Sequence, residues 1–343
     1  MRILLLSACL GALVGGTKLE TVYTAEKALQ VEITFQQSSE TSTTMERDGE
    51  PVEGPGGGMG ASSEMTYTET FVDRYVAVDA GKPTKVRRSW SEVGGKTAMS
   101  MGDQSSEREM ESPFEGLEIE IEADAESAKV IAGTEPEGEG SLTGHQLVLC
   151  LDGLLPNKDV AVDDTWELSK DAILCSLRQD LMQKMTPPPA RAEGGGEGRG
   201  QRGGRGGARG GRGGGSLKDF EWEGSAKVAG LEEDVDGVAC TVVDLTMTAS
   251  GTRELPQGGR PRDGMYGLPV ENTMTYKVEL EGKLYYDNKA KRPLKMEVKG
   301  TANVETVREM TREESTIRIE SSQDGKIEYS ITISEAKEEA KKE

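Results

Sequence analysis

Over much of the chain, apolar and polar residues alternate one for one. Leu29, Val31, Ile33 and Phe35 are separated by Gln30, Glu32 and Thr34, the period of a strand with one dry face and one wet face. Residues 117–122 repeat this as Leu-Glu-Ile-Glu-Ile-Glu, which puts Ile119 and Ile121 on the apolar side. Tyr276, Val278 and Leu280 alternate with Lys277, Glu279 and Glu281, and Leu294, Met296 and Val298 alternate with Lys295, Glu297 and Lys299. Toward the carboxyl end, Ile317 and Ile319 are followed by Ile327, Tyr329, Ile331 and Ile333. Turn residues divide these runs into hairpins. Asp236-Gly237 separates residues 226–232 from 238–248, Asp324-Gly325 is predicted to separate the last two strands, and Asp287-Asn288 with Pro293 brackets a further reversal. The pattern predicts a mainly β fold, a strongly curved antiparallel sheet in a half-barrel or open barrel, with one face solvated.

One segment has a different period. Ser169 can cap a helix over residues 170–185, with Ile173, Leu177, Leu181 and Met185 every fourth position and Leu174 and Met182 widening the stripe. Three prolines at 187–189 end it. Such a helix either covers the apolar face of the sheet or serves as a movable lid over a lipid-sized cavity. Periodicity then disappears. Arg199, Arg202, Arg205, Arg209 and Arg212 are spaced by glycines, and 14 of the chain's 44 glycines lie between 194 and 215. No core can form from such residues, so 187–216 is predicted to be a disordered Gly/Arg-rich linker. It divides a first β-rich half (17–186) from a second (217–334), with a charged tail at 335–343. Residues 54–60 and 256–269 are rich in glycine and proline and are predicted to be long hairpin loops.

Composition qualifies this picture. Of 343 residues, only 34% are hydrophobic and 4% aromatic, and 41 basic against 61 acidic side chains leave a formal charge of −20. Those values alone point toward disorder, but the period-two runs overrule them locally. The charge is also segregated. Six arginines from Arg191 onward less Glu193 and Glu197 give +4 for residues 191–215, so −20 − 4 leaves −24 for the remainder. A generally basic nucleic-acid binder is excluded for the body. The Arg/Gly run resembles the RGG segments of RNA-binding proteins, yet no aromatic residue is interleaved to stack bases. It reads as a linker or, alternatively, as a contact for a polyanion through its five spaced arginines; nucleic acid is the weaker reading.

The amino terminus reads as an address. Met1-Arg2 followed by uncharged residues 3–14 matches a signal peptide over 1–16, which implies a periplasmic or extracellular protein. Leu6-Ser7-Ala8-Cys9 resembles a bacterial lipobox and makes lipid anchoring through Cys9 the lesser alternative. The other cysteines, Cys150, Cys175 and Cys240, allow at most one disulfide, and none has a partner at CxxC or Cys/His spacing. They read as small buried hydrophobes. The single histidine, His145, precedes an apolar run and reads as an ordinary turn or strand residue. Hydrolase, nucleotide-binding, zinc and calcium signatures are absent from the sequence, so no catalytic residue, metal or cofactor is predicted.

Two stretches carry a resemblance. Gly282-Lys283-Leu284-Tyr285-Tyr286-Asp287 followed by Arg292-Pro293-Leu294-Lys295-Met296 resembles a hairpin motif of uncharacterised exported bacterial β-rich proteins. Leu155-Pro156 with residues 160–166 is similar to their "LP…V-x-V-G-D-x-W" segment, with Asp163 where that pattern has glycine. A distant structural relative of these proteins is the periplasmic lipoprotein-carrier half-barrel, which holds acyl chains on its concave face. The resemblance implies a curved sheet and transfers no activity. Combined with the apolar periodicity, it leads to an expected non-catalytic exported envelope protein, a binding or structural module. If its ligand is a lipid or other apolar molecule, the lining would be Leu29, Val31, Ile33, Phe35, Ile119, Ile121, Val278, Leu280, Met296 and Val298, with Ile173, Leu177 and Leu181 from the lid. The plain alternative is that these residues are core. A polyanion-binding or surface-tethering protein, acting on an anionic envelope surface through the arginines, is the competing function.

Overall fold

The computed structural model describes residues 16–52, 59–137, 141–178, 220–255, 269–312 and 315–337. The first half contains β1 (Thr17–Lys18), β2 (Ala28–Arg47), β3 (Glu50–Pro51), β4 (Met59–Asp79), β5 (Lys82–Met101), β6 (Gln104–Glu111), β7 (Glu118–Glu122) and β8 (Lys129–Ala132). A 3₁₀ turn (Cys150–Leu154), β9 (Asp159–Val160), β10 (Thr165–Leu168) and helix α1 (Lys170–Ser176) follow. The second half is five long strands: β11 (Trp222–Val235), β12 (Val238–Glu254), β13 (Pro269–Asp287), β14 (Arg292–Arg312) and β15 (Ser315–Glu335). All but β1 and β9 belong to one antiparallel sheet, ordered β10-β11-β12-β13-β14-β15-β2-β4-β5-β7-β8, with β3 beside β2 and β6 beside β5. The sheet is open, ending in two edges. Its two sequence halves interlock, because β2 pairs with β15 and β10 pairs with β11.

The alternating runs lie in these strands, which continue beyond them. Leu29, Val31, Ile33 and Phe35 are buried while Glu32 and Gln36 are exposed, as the period requires. Asp236 (φ 54°) and Gly237 (φ 83°) form the tight β11–β12 turn with two positive φ angles. At the β13–β14 reversal, Asp287 Oδ1 accepts from the Lys289 and Ala290 amides at 2.9 and 2.8 Å. Asp163, which stands where the family pattern has glycine, has φ 71°, so the position does require a left-handed backbone.

Two sequence expectations need correction. Asp324-Gly325 is no turn: β15 runs straight through it, with Asp324 between Asn303 and Glu40 and Gly325 between Ala302 and Ser39. Reversing the chain there would strip hydrogen bonds from two neighbouring strands at once. The helix is shorter than the stripe predicts. Ser169 caps it by accepting from the Ala172 amide at 3.2 Å, but it ends at Ser176, and Arg178 adopts φ 49°. Leu181, residues 1–15 of the proposed signal peptide, the five spaced arginines, residues 256–268 and residues 54–58 lie outside the described residues, while residues 59, 60 and 269 of the two predicted loops already belong to β4 and β13.

The core follows from one connection. β8 and β10 occupy opposite ends of the strand order, so the chain between them crosses the whole apolar face. On the way it buries Leu149, Leu151, Leu154 and Leu155, and α1 adds Ala172, Ile173 and Leu177. Gly153 brings turn and helix together, since a Cβ there would sit 3.1 Å from that of Ala172. Close approach also governs the sheet. A Cβ on Gly282 would stand 2.0 Å from the Glu297 carbonyl oxygen and 2.6 Å from Val298 Cα, backbone atoms that cannot swing aside. Gly282→Ala is expected to cost about 1–3 kcal/mol, read as a lower urea midpoint at unchanged m-value.

Candidate functional site

Strand β4 places Tyr67, Glu69, Phe71, Asp73 and Tyr75 on its buried side, so two carboxylates face the core. Directly across on β5, Arg88 meets Asp73 in a two-pronged pair, Nε to Oδ1 at 2.6 Å and Nη2 to Oδ2 at 2.7 Å. Arg88 is 3% exposed and Asp73 is fully buried. Glu69 accepts from Trp90 Nε1 at 2.9 Å, Arg178 Nη2 at 3.0 Å and the Tyr67 hydroxyl at 3.2 Å. Both guanidiniums lie over the Phe71 ring, at 4.5 Å for Arg88 and 4.8 Å for Arg178. Burial works against each guanidinium's charge, but Asp73 holds Arg88 above its ordinary value and Glu69 does the same for Arg178. Sequence reasoning missed this cluster. Its signal was available: acids at positions 69 and 73 share the parity of the apolar residues around them, and so does Arg88 with Val86 and Trp90.

The crossing connection adds polar groups of its own. Arg88 Nη2 donates to the Gln146 carbonyl at 3.2 Å, and Cys175 Sγ to Gln146 Oε1 at 3.0 Å. Cys150 and Cys175, 25 positions apart (175 − 150), come together here with free thiols. The neighbouring Cys175 lowers Cys150 to about 7 against the effect of burial, aided by Arg178 and Arg88. Asp152 accepts from the hydroxyls of Thr21 and Tyr23, and Tyr23 in turn accepts from the Leu149 amide at 2.8 Å. Burial nevertheless raises the Asp152 carboxyl to about 6. His145 packs against Trp90 and Phe114, with ring centroids 5.7 and 5.9 Å away.

Leu29, Val31, Ile33, Phe35, Ile119, Ile121, Val278, Leu280, Met296, Val298, Ile173 and Leu177 all belong to one continuous buried cluster. They are brought together, and the connection and α1 fill the space above them. The cavity beside Arg88, Arg178, Cys150 and Val31 measures about 20 Å³, enough for one small molecule the size of water. An acyl chain would fit only if the 3₁₀ turn and α1 moved off the sheet.

A far larger hollow opens on the wet face. It has about 890 Å³ of space and crosses β12, β13, β14, β15 and β2, a span of roughly 19 Å at the usual strand spacing. Twist supplies the shape, because a coiled sheet is hollow in one direction on each face. Two cross-strand rows line it. One runs Asp244, Lys283, Glu297, Ser330, Thr34; the next runs Thr246, Glu281, Lys299, Glu328, Gln36. Opposite charges thus sit side by side, which stabilises the sheet modestly and leaves a ladder of donors and acceptors facing outward. Tyr285 and the bare Gly282 also line the trough.

No family model matches the chain, and no curated protein does. Among solved structures, one described as "lipid-protein interactions in lipovitellin" matches with a TM-score of 0.28 and 11% identity. The match covers 93% of this chain and 26% of that one, so this chain spans about a quarter of that protein's length. At such similarity the fold and site stand on their own geometry.

Two outcomes are expected. Asp73→Ala leaves Arg88 charged and unpaired in the core and should cost about 3–5 kcal/mol in chemical denaturation. Asp152 is protonated more readily folded than unfolded, so its contribution to stability is present below about pH 4 and lost as the pH rises to about 6. The urea midpoint of wild type relative to Asp152→Asn should therefore fall across that window.

Proposed function

We propose that this chain is a non-catalytic, exported binding module of the bacterial envelope, and that it takes an extended, hydroxyl-rich ligand such as a glycan along the polar trough. The observation that carries this reading is the pair of alternating rows from Asp244 to Thr34 and from Thr246 to Gln36, which line a hollow of about 890 Å³. Alternating carboxylates and ammonium groups satisfy hydroxyls in either direction, while a ligand of one strong charge would meet repulsion at every second position. Tyr285 adds an apolar ring face at the edge of the trough. Specific polar pockets combine such convergent groups with a preformed shape. The apolar-ligand version, suggested by the lipoprotein-carrier resemblance, would use the other face and requires its cover to open.

Calorimetric titration of the full chain with chitotetraose separates these readings. Saturable binding is expected, weakened at least about tenfold in a Glu281→Ala, Lys299→Ala double variant whose fold persists because both side chains point to solvent. Binding to anionic phospholipid vesicles but not to the oligosaccharide would overturn the glycan reading in favour of the dry face. The competing polyanion function rests on the +4 segment set within a chain whose remainder carries −24. It predicts salt-sensitive heparin binding that deletion of residues 191–215 abolishes.

A further inference from the structure

We propose that Cys150 and Cys175 form a redox-active dithiol that hydrogen peroxide closes to a disulfide, pinning α1 to the 3₁₀ turn beneath the sheet. The two elements are already held against each other. Leu151 and Leu154 on the turn and Ile173 on the helix are all but fully buried, and Gly153 meets Ala172 without a side chain between them. The thiols they carry are neighbours that interact, and Cys175 donates to Gln146 Oε1 at 3.0 Å. Both cysteines retain partial exposure, whereas Cys240 is buried on β12. The cavity of about 20 Å³ touches Cys150, Arg88 and Arg178, so a molecule little larger than water can meet the first sulfur beside two cations.

The roles of the two sulfurs differ. The neighbouring Cys175 and the charges of Arg178 and Arg88 lower the Cys150 thiol despite burial and the opposing carboxylate of Glu69, so Cys150 takes the part of the attacking thiolate, while Cys175 keeps its proton in the hydrogen bond to Gln146 Oε1. Its sulfur attacks one peroxide oxygen, the O–O bond breaks, and the departing hydroxide takes up the proton that Cys150 had released. The product is a sulfenic acid and one water. Cys175 then attacks the Cys150 sulfur, the S–O bond breaks, and the leaving hydroxide accepts the Cys175 proton as a second water. Two thiols lose two electrons, and one peroxide becomes two waters. By contrast Cys240, raised to about 11 by burial and by Asp287, Asp234 and Asp236, is held as the unreactive thiol.

The test uses the reduced full chain with one equivalent of hydrogen peroxide, followed by alkylation, intact mass and peptide mapping. The expected product has lost two hydrogens, links Cys150 to Cys175 within one chain, keeps Cys240 alkylatable and reverts with dithiothreitol. Cys175→Ser should stop at the Cys150 sulfenic acid, captured by dimedone at least about tenfold faster than any adduct at Cys240. The proposal is overturned if Cys150 and Cys175 both remain alkylatable, if Cys240 is oxidised at the same rate, or if the link joins separate chains. Mapping of the wild-type protein decides these outcomes even if a serine variant fails to fold.

Discussion

Two carboxylates on the dry side of β4 set the terms for everything packed above it. Buried and unpaired, Glu69 and Asp73 would each cost several kcal/mol, so each must have its guanidinium. Asp73 finds Arg88 on the neighbouring strand, within the sheet. Glu69 depends on Arg178, which arrives from the end of α1. The helix is therefore placed by charge as well as by its apolar stripe. Apolar contacts tolerate sliding, whereas a guanidinium that must meet a buried carboxylate and cross the face of Phe71 does not.

The cover and the sheet divide the molecule into a full side and a hollow side. Curvature invites the expectation that a ligand sits among the apolar residues. Here the connection between β8 and β10 occupies that space with Leu149, Leu151, Leu154 and Leu155. What the twist leaves open is the opposite, polar face. Two rows of alternating charge serve there first as ordinary cross-strand stabilisation and, by the same arrangement, as an array of hydrogen-bonding groups.

Much of the sheet was legible from sequence because period two is a local property. The runs around Val31, Ile119, Val278, Met296 and Ile331 each identify a strand and its buried side, and Asp236-Gly237 marks a turn. Other features depend on partners far away in the chain. Asp324-Gly325 resembles a turn until strands are paired on both its sides. The helical stripe continues past Ser176, but the left-handed backbone at Arg178 ends the helix where that residue reaches Glu69. The Cys150–Cys175 meeting and the trough are also invisible to a local pattern, since one requires the crossing connection and the other requires five aligned strands. The Glu69 and Asp73 cluster is intermediate: charged residues on an apolar parity announce burial, though not who neutralises them.

The pairing of β2 with β15 has a consequence in time. Val31 lies opposite Ile333, about 300 positions later in the chain, so the central seam of the sheet cannot close until nearly all of the described polypeptide is available. The early strands must wait, with β2 unable to find its second neighbour while the chain is still emerging. Assembly is then governed by loop closure across the whole molecule, slow by its topology and most vulnerable to misassociation just before the last strand docks.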